Sequence, residues 1–362
     1  MATGLPEAAQ RTAASRAEPS QEGQARRLTP HGRGSDNGVE RTGMKAVVYD
    51  RYGGPEQLRV DDVPTPSPAA DQVLIRVLAT SINLSDWECL RGTPLYARLG
   101  GLRAPARRTL GSDVAGVVEA IGSGVSRFAV GDELYGDNLQ LMGGFAEYAV
   151  APESVLAAKP GSLTFAEAST IPQAAAIALQ GTAGLAPGQR MLINGAGGGS
   201  GSFAIQLAKR SGVHVTGVDN ARKLDFMRSL GADDVLDYRS EDFTRTGERY
   251  DVVLDLVAHR SALAVRRALR PGGRYRCVGG PVPTLVGILT VGSVIGRLSG
   301  RRIGMLMVRQ GPAHFTPLAA LCAAGDIGIH VDRTFALDDA PEAMRYVGEG
   351  LARGKVVVTV HG

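Results

Sequence analysis

Between Asn194 and Gly201 the chain reads NGAGGGSG, a run with almost no side chains. A backbone stripped of Cβ atoms can approach a pyrophosphate closely, and a helix that opens there offers free N–H groups to its oxygens. The register is Ala196-x-Gly198-x-x-Gly201, with Ala196 standing where the first glycine is usual. Alanine permits the turn as long as its φ stays negative. An acid, Asp219, follows about 20 residues on, where a carboxylate can accept both hydroxyls of a ribose. Ala196, Gly197, Gly198, Gly199, Ser200, Gly201 and Asp219 are therefore assigned to a dinucleotide site.

The elements around this run fit that chemistry. Met191-Leu192-Ile193 is a short apolar stretch, as expected of a strand buried on both faces. From Ser202 the spacing of Phe203, Leu207 and Ala208 predicts a helix, with Ile205 less regular, and Val213 to Val218 a second buried strand. The alternation continues with a helix over 221–230, strands at 235–237 and 250–257, a helix at 261–269 and strands at 274–278 and 303–308. Such alternation predicts a doubly wound parallel sheet with helices on both faces. Upstream, MKAVVYD, Leu58 to Val63, VLIRVLATSIN, LGSDVAGVVEAIGSGVSRFAVGDELYG and Gly143 to Val150 read as strands and turns of a compact, barrel-like β unit. The segment after Thr164 reads as helix with Pro172 as a kink. The chain closes with a helix after Phe315, a strand-like stretch at 332–337, a helix at 341–348 and a strand at 355–360. The fold class is thus α/β, β-rich unit plus parallel sheet.

Composition bounds the function classes. The 362 residues suggest about two domains. A net charge of +4, spread along the chain and without a basic-aromatic motif, argues against nucleic acid as a partner. Cys89, Cys277 and Cys322 are too widely spaced for a disulfide framework, which points to a reducing cytoplasm. The apolar stretch from Pro281 to Ile295 is too short and glycine-broken for a membrane span, and reads as a pocket wall or subunit contact. Residues 1–43 carry few large apolar side chains and no secretory signal, so they are expected to be disordered, with Met44 a candidate start.

From Met44 onward the sequence resembles the zinc-independent branch of the medium-chain dehydrogenase/reductase superfamily, near quinone oxidoreductases and ζ-crystallin. The opening MKAVVYDRYGGPEQL, the segments INLSDW, LGSDVAGVVEAIGSGVSRFAVGDELYG and INGAGGGSG, then SLGADDVLDY and the closing GKVVVTV carry the resemblance. It implies a GroES-like β-rich catalytic domain, 44–163 and 312–362, around a Rossmann domain, 164–311. It also implies hydride transfer from NADPH or NADH to a quinone, enone or other carbonyl, in a homodimer. An enoyl thioester reductase, or a nucleotide-binding protein with a structural role, remains the alternative.

Zinc-dependent relatives place a cysteine where this chain has Ser81 to Asn83, and Gly-His-Glu where it has Gly111-Ser112-Asp113, so no metal is expected. Without zinc, hydrogen-bond donors must stabilise the oxyanion formed when hydride arrives. By resemblance, INLSDWECLRGTPLY lies beside the nicotinamide. Asn83 can then donate its amide to the substrate oxygen, Asp86 can hold that amide or a water, and Tyr96 can donate its phenol. Each also has a plain structural role open to it, as turn cap, helix N-terminal residue or packing group. Val257 and Gly279, at the ends of later strands, are counted with the cofactor site. Asp219 favours NADH, since a 2′-phosphate would meet a like charge. Lys223 and Tyr238 fall where NADPH-using relatives place a Lys and a Tyr against that phosphate, although solvation and packing are open to them too.

Overall fold

The computed structural model describes residues 43–99 and 101–360. The expectation of a disordered tail falls on residues outside those described. Two sheets organise the remainder. The strands Arg190–Asn194, His214–Asp219, Asp234–Asp237, Tyr250–Asp255, Leu269–Cys277 and Arg302–Met305 form a six-stranded, wholly parallel sheet. Their spatial order is third, second, first, fourth, fifth, sixth, which is the doubly wound dinucleotide-binding order. The switch point lies between the first and fourth strands, and ligands bind in such sheets beyond the carboxyl ends there. The strands are buried on both faces because their residues are apolar without alternation; Met191, Leu192 and Ile193 have no exposed surface.

The GroES-like unit is a mostly antiparallel, seven-stranded sheet built from strands between Gln72 and Ala158 and closed by two late strands, Val331–Ala336 and Lys355–Thr359. Lys355–Thr359 pairs with the long strand Gln72–Ser81, with Val357 opposite Ser81. That pairing brings the end of the chain beside its early part. A hydrogen bond from Gly354 N–H to the Gly197 carbonyl, 3.0 Å, then lays the same segment across the glycine turn.

Some boundaries differ from expectation. Pro172 does not kink one helix; it opens a second, Pro172–Thr182, after the short helix Phe165–Ser169. Proline is at home in a first turn, where its missing N–H has no intrahelical acceptor. The strand expected from Gly143 begins at Tyr148, because Met142 and Gly143 take positive φ. The strand expected over 303–308 stops at Met305. Phe315, Leu318, Ala319 and Cys322 share one core with Ala175, Phe203 and Ile205 of the parallel-sheet side and with Ala115, Tyr135 and Ala157 of the β-rich unit, and the Phe315 ring meets Tyr135 edge-on at 5.1 Å. The stretch from Pro281 folds as Val282–Gly287, one π-helical turn Ile288–Gly292 and Ser293–Leu298. Among the described residues no helix is long and apolar enough to cross a membrane.

Candidate active site

A cleft of about 1160 Å³ runs along the carboxyl ends of the parallel sheet and is walled on its far side by the GroES-like unit. At one end the glycine turn opens the helix Gly199–Arg210. Gly195 carries the unusual backbone, at φ +83°, while Ala196 stays out of the positive-φ region, as the substitution of the first glycine requires. The glycines do different work. A Cβ on Gly201 would fall 2.4 Å from the Gly195 carbonyl, so this glycine lets helix and turn close-pack. A Cβ on Gly198 would meet only one atom within 4 Å, the Gly195 oxygen at 3.5 Å, and would otherwise project into open space. Gly198, Gly199 and Ser200 line the cleft, and the first N–H groups of the helix have no intrahelical acceptor. This shape and polarity fit a pyrophosphate. Ala196, Gly197 and Gly201 shape the turn from behind and do not line the cleft.

Asp219 ends the second strand and is buried. Its Oδ2 accepts from Gly197 N–H at 3.0 Å and its Oδ1 from Asn220 N–H at 2.8 Å. Lys223, also buried, brings its Nζ to 3.5 Å from the same carboxylate. Tyr238 lies at the cleft edge, 46% exposed, and donates its backbone N–H to the Asp219 carbonyl. Val257 and Gly279 line the cleft just past the fourth and fifth strands. Arg222 is exposed and outside it.

The catalytic candidates separate. Asn83 reaches the cleft, but both its amide hydrogens are taken: Nδ2 donates to Asp113 Oδ2 at 2.8 Å and to Ser112 Oγ at 3.1 Å. Its Oδ1 accepts from Lys355 Nζ at 2.6 Å, which fixes the amide's orientation, because an ammonium only donates and a carboxylate only accepts. Asn83 therefore offers no donor to a substrate in this arrangement, contrary to the expectation. Asp86 is fully buried and touches no part of the cleft. It accepts from Asn83 N–H at 2.8 Å, Gly111 N–H at 3.0 Å and Ser112 N–H at 3.1 Å, so it ties two loops together rather than holding the Asn83 amide. Burial pushes its carboxyl up to about 6, against the pull of those N–H donors. Tyr96 reaches the cleft as well, and its phenol donates to Glu88 Oε1 at 3.1 Å.

Residues not singled out from sequence complete the site. Asp113 binds Ser81 Oγ at 2.9 Å, Gln173 N–H at 3.0 Å and Lys355 Nζ at 3.4 Å. Asp137 lines the cleft, and burial first, then the Asp113 charge, raises its carboxyl well above the usual range. The signal for Lys355 is a lone charge opening the apolar strand KVVVT; Asp137 closes ELYGD, which Glu133 opens, and has no such mark. These side chains do not fit zinc. Ser81 and Ser112 are poor ligands for it, and the Lys355 ammonium already supplies the cation that Asp113 faces. Among the described residues no three His, Cys, Asp or Glu side chains group so as to hold a metal. Prolonged chelation is expected to leave turnover unchanged; turnover lost and then restored by zinc would overturn that.

Comparison with known proteins agrees with this geometry. Residues 69–161 match the family described as "Alcohol dehydrogenase GroES-like domain", and residues 230–358 the one described as "Zinc-binding dehydrogenase". The chain is 34% identical over 336 residues to the chloroplastic quinone-oxidoreductase QR1 of Triphysaria versicolor, covering 87% of this chain and 98% of that protein. It is 33% identical to the 2-methylene-furan-3-one reductase of Solanum lycopersicum, covering 87% of this chain and 79% of that protein. Among solved structures, the quinone oxidoreductase from Coxiella burnetii superposes with a TM-score of 0.80 at 30% identity, covering 88% of this chain and all of that one. With this fold, this nucleotide cradle and these relatives, the chain belongs to the zinc-independent, quinone oxidoreductase-like branch of the medium-chain dehydrogenase/reductase superfamily and is an NAD(P)H-dependent oxidoreductase.

Proposed function

We propose that the chain reduces the carbonyl-conjugated system of a small quinone or enone, with NADPH preferred over NADH. One observation carries the reading: the cleft that holds the glycine turn and Asp219 at one end continues past Val257 and Gly279 to Tyr96, amid Leu84, Leu139, Met142 and Ile177. Apolar walls with the Tyr96 phenol among them suit a flat, weakly polar acceptor. The reduced nicotinamide supplies a hydride to a substrate carbon; the chain's own part is to orient the acceptor and steady its developing oxyanion. Tyr96 is the donor placed to do so, while Asn83, Asp113 and Lys355 hold the facing wall rigid. A panel of quinones, enones and aldehydes, each with both cofactors, tests the reading. Nucleotide binding without turnover of any of them would return the chain to a structural role.

The leaning to NADPH rests on the Asp219–Lys223 pair. A bare carboxylate would repel a 2′-phosphate, but this one is neutralised by an ammonium at 3.5 Å and by two N–H donors. One unit of charge at a partly screened site is worth on the order of 1 kcal/mol, roughly fivefold to tenfold in affinity. Lys223→Ala is expected to lower the NADPH-to-NADH ratio of kcat/KM by about that factor, and Asp219→Ser to raise it. An unchanged ratio in Lys223→Ala would reassign the protein to NADH.

Two further readings go with this one. A homodimer is supported by the exposed apolar side chains Val286, Leu289, Val291, Val294 and Leu298, and by the unpaired outer edge of Arg302–Met305. A reducing cytoplasmic setting is in keeping with three free cysteines.

A further inference from the structure

Glu88 sits on the helix Leu84–Arg91, partly buried, and lines the cleft with Tyr96. The phenol of Tyr96 donates to Glu88 Oε1 at 3.1 Å; a protonated Glu88 can donate back along the same contact and free the phenol hydrogen for the cleft. A Cβ built on Gly279 would stand 3.9 Å from both Glu88 Oε1 and Tyr96 Oη, so the pair overhangs the loop after the fifth strand. Tyr96 also packs on the core of the parallel-sheet side, against the cluster that contains Leu285 and Cys277. The two side chains thus bridge the seam between the units at the far end of the nucleotide cleft.

We propose that Glu88 is the proton reservoir of the reduction, acting through Tyr96. This rests on the quinone or enone reading above. Hydride arrives at a substrate carbon and the π electrons move to the carbonyl oxygen. The Tyr96 O–H bond breaks as its proton goes to that oxygen, and the phenol oxygen takes a proton from the Glu88 carboxyl. Solvent then reprotonates Glu88. The product is a hydroquinone, or an enol that tautomerises to the ketone. In this scheme Glu88 acts on the substrate through Tyr96 and is a positioning residue for the proton.

Its surroundings suit the task. Burial pushes the Glu88 carboxyl up to about 7, so it holds a proton to release near neutrality. Besides Tyr96, the titratable group beside it is the Cys89 thiol, which burial raises to about 11. The cleft's cations are committed elsewhere: Lys223 to Asp219, Lys355 to Asn83, Arg260 to Asp242, and Arg107 to the Leu139 carbonyl. His259 lines the same cleft from the parallel-sheet side.

The test is a pH profile of kcat for the full chain with an enone and with a quinone, under saturating NADPH. The protonated acid is the active form, so wild-type kcat is expected to fall as pH rises through about 7. Glu88→Gln is expected to lower kcat below that pH by on the order of tenfold to a hundredfold and to flatten the profile, with NADPH affinity unchanged. Tyr96→Phe should give the same flat profile. Glu88→Asp, which keeps an acid, should keep the inflection at reduced kcat, and this variant is decisive if Glu88→Gln fails to bind nucleotide. A wild-type inflection that survives in Glu88→Gln overturns the proposal while leaving the reductase reading intact. Absence of turnover by the wild type with every quinone and enone would instead remove the reading on which it rests.

Discussion

Gly198→Val is expected to fold like the wild type and to lose nucleotide affinity by roughly a hundredfold, about 3 kcal/mol. The backbone at Gly198 is extended, φ −92° and ψ −177°, a conformation that β-branched residues accept readily. The added Cβ has only the Gly195 oxygen nearby, at 3.5 Å, so the free protein has room for it. The same space is where the pyrophosphate must lie, and a valine there holds the phosphates away from the helix N-terminus. Gly201→Ala supplies the contrast. Its Cβ would sit 2.4 Å from the Gly195 oxygen and 2.5 Å from the Ala196 oxygen, so that variant should lose stability as well as binding. Thermal melting separates the two glycines, and a fluorescence titration with NADPH measures the affinity. Wild-type affinity in a well-folded Gly198→Val would move the pyrophosphate out of this turn.

That contrast shows how far local sequence reaches. The turn, its helix and Asp219 were legible because a βαβ nucleotide site is written within one stretch of about 30 residues, each part fixed by its neighbours. The parallel sheet was legible for the same reason. The facing wall was not. Asn83, Asp113 and Lys355 come from three strands or loops, and the bond from Lys355 Nζ to Asn83 Oδ1 spans 272 residues. An isolated asparagine carries no sign of which partners will use its amide, so a donor to substrate and a donor to a buried carboxylate read alike. Asp86 was legible as an N-terminal helix residue, which its bond to Asn83 N–H bears out in part. Its grip on Gly111 and Ser112 depends on packing 25 residues away. The Phe315 to Ile327 segment shows the same limit: its apolar periodicity announces a buried face but does not say that residues of both units, Tyr135 and Phe203 among them, bury it.

Lys355→Met has the larger structural consequence. Lys355 is 3% exposed, and its ammonium meets Asn83 Oδ1 at 2.6 Å and Asp113 Oδ2 at 3.4 Å. Asp113 belongs to a set of buried carboxyls with Asp86, which also feels the ammonium, and Asp137, which feels both acids. Removing one member of a buried ion pair leaves its partner uncompensated, at about 3–5 kcal/mol. Methionine preserves the length and the apolar stem, so the loss reports charge and not a cavity. The pH dependence has a fixed sign. Asp86 and Asp137 have raised carboxyl values in the folded state, so they favour the fold when protonated and cost stability as pH rises toward those values. Without the ammonium the cluster is more negative, so the deficit of Lys355→Met should widen from acid to mildly alkaline pH. Lys355→Met combined with Asp113→Asn should recover much of the stability, because the uncompensated charge is gone. Neither variant should regain full turnover, since Asn83 Oδ1 has lost the donor that orients its amide. Denaturant unfolding of the single and double variants, followed across that pH range, measures each step. A Lys355→Met protein as stable as wild type at every pH would mean that the ammonium does not stabilise this cluster.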